Sequence, residues 1–241
     1  MFAGPRFRNN GENMKKALTS ALILFAVIQV SGCQSPQINS LPEISASKAE
    51  VVAHSLQPAG AFDGTYFSAL LHNPNQDKTL LNVGVSVVGI GVDDVVVATQ
   101  DFEIPSLSPD ETWVLTTTLF GDTVIKAEIE ISDEIEVSPK NLTQQFTEKD
   151  FSNSKTSFTT SDNYGMIKGF AMTKVALTIP EESTNSSAIV CAAYFDKSEK
   201  FLGGECLLQD VMPGRKNGFA INAFLPPTKP SAVKFFARYA H

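Results

Sequence analysis

The stretch AIVCAAYFDKSEKFLGGECLL, residues 188–208, predicts a β-hairpin. Residues 188–195 and 201–208 are two apolar-rich runs of strand length. The segment between them, DKSEK, is polar and consists of residue types that turns favour. One cysteine lies in each run, Cys191 in the first and Cys206 in the second. The stretch therefore predicts two antiparallel strands with a cysteine on each.

Short strands separated by turns continue on both sides of this hairpin. Residues 81–87, for example, alternate between apolar and polar or small side chains, which is typical of a strand with one buried face. We therefore predict an all-β chain of two tandem antiparallel β-sandwich domains, residues 48–138 and 164–241, joined by a polar linker over 139–163. The start of the first domain, 48–56, fits either a strand or one or two helical turns.

The two β-rich regions look like one unit that occurs twice. A shift of 104 positions places Val87 on Cys191 and Phe102 on Cys206. Since both residues of the first copy are apolar, this alignment predicts that both cysteines face a core. Sequence identity between the copies is low, so chance similarity between two unrelated sandwiches is the alternative.

A disulfide between Cys191 and Cys206 follows from the predicted hairpin. Directly opposed residues on adjacent strands have Cβ atoms ~4.5–5.5 Å apart, close to what a disulfide needs. A bridge of this span is expected to add ~3 kcal/mol of stability. Two buried, reduced thiols are the alternative, because a one-residue slip in register would send the side chains to opposite faces.

The N-terminal part has the layout of a secretory signal. Met14-Lys15-Lys16 is followed by an uncharged apolar run over residues 17–30 and then by small residues. The run is shorter than the ~20 apolar residues that a transmembrane helix needs. Residues 1–32 are therefore predicted to be an upstream extension and a cleaved signal helix, with Met1 or Met14 as the start. An internal core helix or a true membrane span is the alternative.

The four residues Val30-Ser31-Gly32-Cys33 resemble the lipobox of bacterial lipoproteins. The resemblance implies cleavage between Gly32 and Cys33 and a lipid on Cys33, which would anchor the chain in a membrane. Residues 33–47 would then be a tether, and Gln34 resembles the outer-membrane class facing the periplasm. A standard secretory cut that leaves Cys33 as an incidental thiol is the alternative.

A second resemblance covers about 75 residues at the C-terminal end. The segment 189–196, followed by Leu202-Gly203-Gly204 and Met212-Pro213-Gly214, is similar to the FxLYD type of bacterial envelope domain. That family implies an immunoglobulin-like β-sandwich with a binding or spacer role and no catalysis. The first copy departs from the motif, because Gly91-Val92-Asp93 stands where the second copy has Tyr194-Phe195-Asp196.

Charge and composition exclude several classes of function. The chain carries a formal net charge of −7, and loss of the basic signal would make it more acidic still. This argues against a nucleic-acid partner, which requires clustered Lys and Arg. The three histidines, His54, His72 and His241, have no metal-ligand spacing, and no phosphate-binding or nucleophile motif occurs. We predict no catalytic residues, no metal and no cofactor.

These observations predict a non-catalytic bacterial envelope lipoprotein that is not an enzyme. Its expected partners are the membrane, through the lipid on Cys33, and an unidentified envelope protein for which it acts as a binding or accessory module. Two alternatives stay open: an enzyme with an unrecognised site, and a carrier of an apolar ligand between the sheets.

Overall fold

Alternating apolar and polar residues form thirteen strands in the computed structural model, which describes residues 46–58, 64–121, 123–134, 136–138, 146–163 and 166–240. Two short 3-10 turns, Val92–Asp94 and Glu148–Asp150, complete the regular structure of these ranges. The strands are β1 (Glu50–Pro58), β2 (Thr65–His72), β3 (Thr79–Ile90), β4 (Val96–Leu107), β5 (Thr112–Leu119), β6 (Lys126–Ile131), β7 (Glu136–Ser138), β8 (Phe151–Asn163), β9 (Met166–Thr178), β10 (Ser187–Phe195), β11 (Phe201–Asp210), β12 (Lys216–Leu225) and β13 (Ala232–Tyr239).

The first seven strands form one antiparallel sandwich. Sheet A has the order β1-β2-β5, and sheet B has the order β4-β3-β6, with β7 also paired to β3. Of the two structures predicted for residues 48–56, the strand is the one observed. The predicted all-β class of tandem antiparallel sandwiches is confirmed.

The last six strands repeat this arrangement. Sheet C has the order β12-β9-β8 and sheet D the order β11-β10-β13, so sheet C corresponds to sheet A and sheet D to sheet B. The central hairpins even share an irregularity. The register shifts between Gly89 and Ile90 in sheet B and between Tyr194 and Phe195 in sheet D. The predicted repeat is therefore confirmed at the level of strand order and hairpin geometry.

The four sheets stack as layers in the order B, A, D and C. Val190, Ala192 and Tyr194 of β10 belong to the core between sheets C and D. Their neighbours Cys191 and Ala193 belong instead to the core that includes sheets A and B. Sheet D is thus covered on both faces, and the described residues from 46 onward belong to one compact unit. We call the contact layer between sheets A and D the seam.

The register of the repeat differs by one residue from the predicted alignment. Cys191 pairs directly with Cys206, and the residues that occupy the same places in sheet B are Ser86 and Asp101, which also pair directly. Val87 pairs with Gln100 and faces the core of its own sandwich. Because side chains alternate along a strand, the one-residue difference reverses the face. Cys191 is buried as predicted and Cys206 is partly buried, but both lie in the seam.

The segment predicted as a linker, 139–163, contains strand β8 from Phe151 onward. Strand β8 pairs with β9 along its length, apart from an irregularity between Ser152 and Lys155. Its side chains are mostly polar and exposed, which suits an edge strand, and Phe151 and Phe158 pack against the second core. The predicted signal, the lipidation site Cys33 and most of the tether lie outside the described residues. No helix in the described ranges is long and apolar enough to cross a bilayer.

Candidate functional site

The seam contains the predicted disulfide. Cys191 and Cys206 are bonded, and Cys191 is completely buried on the central strand of sheet D. The Sγ atom of Cys206 lies 3.4 Å from the backbone oxygen of Val114 on sheet A. The predicted bridge is therefore confirmed, and it lies against the neighbouring sandwich.

Sheets A and D approach each other closely at Gly204. A Cβ atom at this position would lie 2.8 Å from Cγ1 of Val114 and 3.0 Å from the backbone oxygen of Ala192. The Gly204 N–H donates to Oγ of Ser68 at 3.2 Å. Glycine is thus required here because no side chain fits between the sheets. The sequence shows the glycine, but it does not show that another sheet packs against this position.

One carboxyl group reaches into the seam from β11. The Tyr66 hydroxyl lies 2.9 Å from the backbone oxygen of Gly204 and 2.5 Å from Oε2 of Glu205, so its single proton can go to either acceptor. Thr116 donates to Oε1 of Glu205 at 3.3 Å. Burial raises the pKa of the Glu205 carboxyl, and these hydrogen bonds oppose the shift. Burial also raises the pKa of Tyr66, and the negative charge of Glu205 adds to that effect.

A guanidinium group closes the other side of the seam. Arg238 of β13 lies 4.0 Å from the ring centroid of Trp113, a cation–π contact. One of its nitrogens donates to the backbone oxygen of Ser106 at 3.0 Å. Burial lowers the pKa of Arg238, and the charge of Glu111 opposes this. The polar groups of the seam therefore have partners in both sandwiches, which makes the seam a structural contact.

Of the three histidines singled out in the sequence, the two that the structure describes contact different residues. His54 stacks on Phe67 at 6.3 Å between ring centroids, and His72 lies 3.7 Å from a carboxylate oxygen of Asp110. His241 lies outside the described residues. Within the ranges that the structure describes, no group of three or more His, Cys, Asp or Glu side chains could hold a metal ion.

An exposed apolar cluster lies at one end of the first sandwich. Its members are far more exposed than is usual for their residue types, and we call it the apolar tip: Val92 (67%), Val95 (56%), Val96 (58%), Phe120 (66%) and Ile125 (60%). Val92, Val95 and Val96 come from the β3–β4 turn and the first residue of β4, Phe120 directly follows β5, and Ile125 directly precedes β6. Backbone hydrogen bonds such as that from Ile125 N–H to the Ile90 oxygen hold these segments together. Exposed apolar patches of this kind commonly mark interaction sites.

The apolar tip was not predicted from the sequence. Ile125 continues the apolar alternation of Ala127 and Ile129 in the sequence, but it precedes β6 and its side chain is exposed. A usable signal was present in the turn itself. Val92 and Val95 flank Asp93-Asp94 at a position where turns are ordinarily polar.

The N-terminal end of the described chain lies at the opposite end of the same sandwich. Asn75, in the β2–β3 loop, exchanges two hydrogen bonds with the backbone of Ser47, at 2.9 and 2.7 Å. Lys48 pairs with Asp133 at 2.8 Å. The twelve residues of β3 run from this end to the apolar tip, a length of about 40 Å at the usual rise per residue.

The comparisons with known proteins assign no family to the chain. No family model and no curated protein matches the chain. A similar solved structure is the N-terminal CBM22-1-CBM22-2 tandem domain of Xyn10C from Paenibacillus barcinonensis, with 8% identity over 81% of this chain and 87% of that one. Its TM-score of 0.19 is too low for any argument about function.

Proposed function

We propose that the protein is a non-catalytic lipoprotein of the bacterial cell envelope, anchored through a lipid on Cys33, that binds a partner protein with its apolar tip. The observation that carries the proposal is the placement of the two ends of the first sandwich. The lipobox-like sequence precedes one end, and the exposed cluster of Val92, Phe120 and Ile125 lies at the other.

This placement would direct the apolar tip away from the membrane when the molecule stands upright. Residues 33–47 can span at most ~50 Å when extended, and β3 adds about 40 Å. Two or three acyl chains on Cys33 would hold the protein firmly, because each buried methylene contributes ~0.8 kcal/mol. A disulfide between Cys191 and Cys206 suits the oxidising space outside the inner membrane.

The chemistry of the tip indicates what kind of partner surface it would fit. Asp93 and Asp94 lie among the exposed valines, so the tip combines an apolar centre with negative charge. An apolar groove with a basic rim on an envelope protein would complement both features. Anionic lipid would be repelled by the same two carboxylates, which favours a protein as the partner.

The anchor is tested by intact-mass measurement of the protein from the membrane fraction of its host. We expect a mass that lacks residues 1–32 and carries acyl chains, and we expect Cys33→Ser to release the protein into the soluble fraction. An unmodified thiol at position 33, or an uncleaved leader, would contradict the proposal.

The tip is tested by placing a photocrosslinking amino acid at Phe120 and, as a matched control, at Thr228 in the exposed loop between β12 and β13. The proposal predicts that one crosslinked envelope protein appears only with the probe at position 120. Phe120→Asp in a chain carrying the probe at Val92 should abolish this product. Equal crosslinking from positions 120 and 228 would show that the tip has no specific partner.

A further inference from the structure

The outward face of sheet B is acidic. The outward positions of its strands carry Asp101 and Glu103 on β4 and Glu128 and Glu130 on β6, all exposed. Lys126, the one basic residue that the described strands place on this face, has its Nζ 2.5 Å from Oε1 of Glu128. None of Asp101, Glu103 and Glu130 has an ion-pair partner among the described residues. The face therefore carries uncompensated negative charge.

The outward face of sheet C has the opposite sign. Lys155 of β8 lies directly across from Lys174 of β9, and both are exposed. Lys216 of β12 is also exposed on this face. The outward positions of the three strands contain no acidic residue, and Met172 adds partly exposed apolar surface. The two outermost layers of one molecule are thus complementary in charge.

The molecule already contains the contact that would bring such faces together. In the seam, the outward face of sheet A packs on the outward face of sheet D. Sheet C corresponds to sheet A, and sheet B corresponds to sheet D, because the strand order repeats. Sheet C of one copy on sheet B of another would continue the stack in the same sense. Such a head-to-tail contact is heterologous. It gives a closed ring only if the rotation between successive copies closes, and an open chain of copies otherwise.

We propose that a second copy of this chain docks its lysine face, sheet C, onto the acidic face of sheet B. The occupant is a second copy because the charges match and because the contact repeats the seam. A shallow hollow of about 380 Å³ on sheet B, lined by Asp101, Glu130 and Asp133 among others, gives lysine side chains a place to enter.

The size of the faces sets the strength of this association. Three strands at ~4.8 Å spacing and about eight residues of length give a face of roughly 14 by 27 Å, or about 400 Å² per copy. The total is below the ~1,200 Å² of standard stable interfaces, so the contact is weak and charge-dependent. Salt should weaken it, because exposed charge pairs are screened over ~10 Å at 0.1 M and ~3 Å at 1 M.

The test is sedimentation equilibrium of the full-length chain in density-matched detergent at about 0.1 M and about 1 M salt. Two charge-reversal variants are compared with wild type. The first, Glu103→Lys with Glu130→Lys, makes sheet B basic, and the second, Lys155→Glu with Lys174→Glu, makes sheet C acidic. A matched control, Glu182→Lys with Glu199→Lys, makes the same net charge change as the first variant in exposed loops of the second sandwich.

We expect wild type and the loop control to associate at the lower salt and to dissociate at the higher. Each face variant alone should lose association by about tenfold or more, the scale of a few rim charge pairs. An equimolar mixture of the two face variants should recover it, because each reversed face then meets its complement. A monomeric wild type at the lower salt overturns the proposal. Association that survives either face reversal, or a mixture that does not recover, overturns it as well.

Discussion

The outward face of sheet B and the seam face of sheet D occupy the same place in the repeated unit, yet they carry different chemistry. Ser86 and Asp101 form a directly opposed pair in sheet B, and Cys191 and Cys206 form the corresponding pair in sheet D. The next directly opposed pair on the same face is Val88 with Thr99 in sheet B and Ala193 with Gly204 in sheet D.

The difference follows from what covers each face. Sheet A lies on sheet D, so small or bonded side chains are needed where the sheets approach, and Gly204 leaves room for Val114. Nothing in the described part of the chain covers the outward face of sheet B, so acids and hydroxyls are tolerated there. The repeated unit therefore accepts either small, bonded side chains or acids and hydroxyls on this face. Which of them is found depends on whether another sheet covers the face.

The largest expected effect comes from a charge placed at the same position of the two faces. Ala193→Asp puts a carboxylate at a completely buried position of the seam, and we expect a loss of about 4 kcal/mol or more. Val88→Asp, its counterpart on sheet B, should cost about 1 kcal/mol, because that face is open to water. Urea denaturation measures both. Similar losses for the two variants would mean that sheet D is not covered.

Removal of the disulfide should rank second. Cys191→Ala with Cys206→Ala is expected to lower the free energy of unfolding by ~3 kcal/mol, since the bridge closes a loop with a sequence separation of 15. The counterpart is Ser86→Cys with Asp101→Cys, which should form a bridge on oxidation and stabilise the first sandwich. If that pair stays reduced under conditions in which Cys191 and Cys206 are bonded, the two hairpins are not equivalent.

A single methyl group sharpens the comparison further. Gly204→Ala should cost about 1–3 kcal/mol, the usual cost of overpacking, because Val114 and the Ala192 carbonyl leave no space for a Cβ. The matched change on sheet B, Thr99→Ala, should stay within about 1 kcal/mol. Thermal unfolding of both variants tests this, and an unaffected Gly204→Ala protein would contradict the close approach of sheets A and D.

The smallest expected effect is a pH dependence that belongs to the seam. Because burial raises the Glu205 pKa above its ordinary value of 4.5, the folded protein binds more protons than the unfolded chain between the two values. Its contribution to stability is present at low pH and is lost as the pH rises through the raised pKa. Glu205→Gln should remove this dependence of stability on pH. Glutamine is also the residue at the corresponding position of sheet B, Gln100. Urea unfolding of both proteins across that pH interval tests this. If Glu205 were solvated, the free energy of unfolding would depend on pH in the same way in wild type and in the variant.

Local pattern was sufficient to predict much of this fold. Alternation in β3 and β6 and the polar turn after β10 gave the strands, the hairpin and the cysteine pairing. Which side chains point to which face of a sheet could not be predicted in the same way. A one-residue slip in aligning two weakly similar copies moves every side chain to the opposite face. Strand β8 was predicted as linker because it is polar on both faces. An edge strand can be polar on both faces, and in β8 only Phe151 and Phe158 pack against the second core.

Burial on two faces did leave a mark in the sequence. Strands β2 and β10 read as nearly continuous apolar runs, with Tyr66 to Leu71 and Val190 to Tyr194 all buried, whereas β12 alternates between exposed and buried residues along most of its length. Unbroken runs of strand length are typical of strands covered on both sides. The apolar tip had a weaker signal, because three valines around a turn are easily assigned to the flanking strands.

The stacking of sheet A on sheet D is tested most directly by nuclear Overhauser contacts between the Val114 methyl groups and the Gly204 α-protons. The structure predicts a strong contact, because Cγ1 of Val114 lies within 2.8 Å of where a Gly204 Cβ would be. If this contact is absent while contacts within each sandwich are seen, sheet D is not covered by sheet A. The explanation for the chemical difference between the two faces would then be wrong.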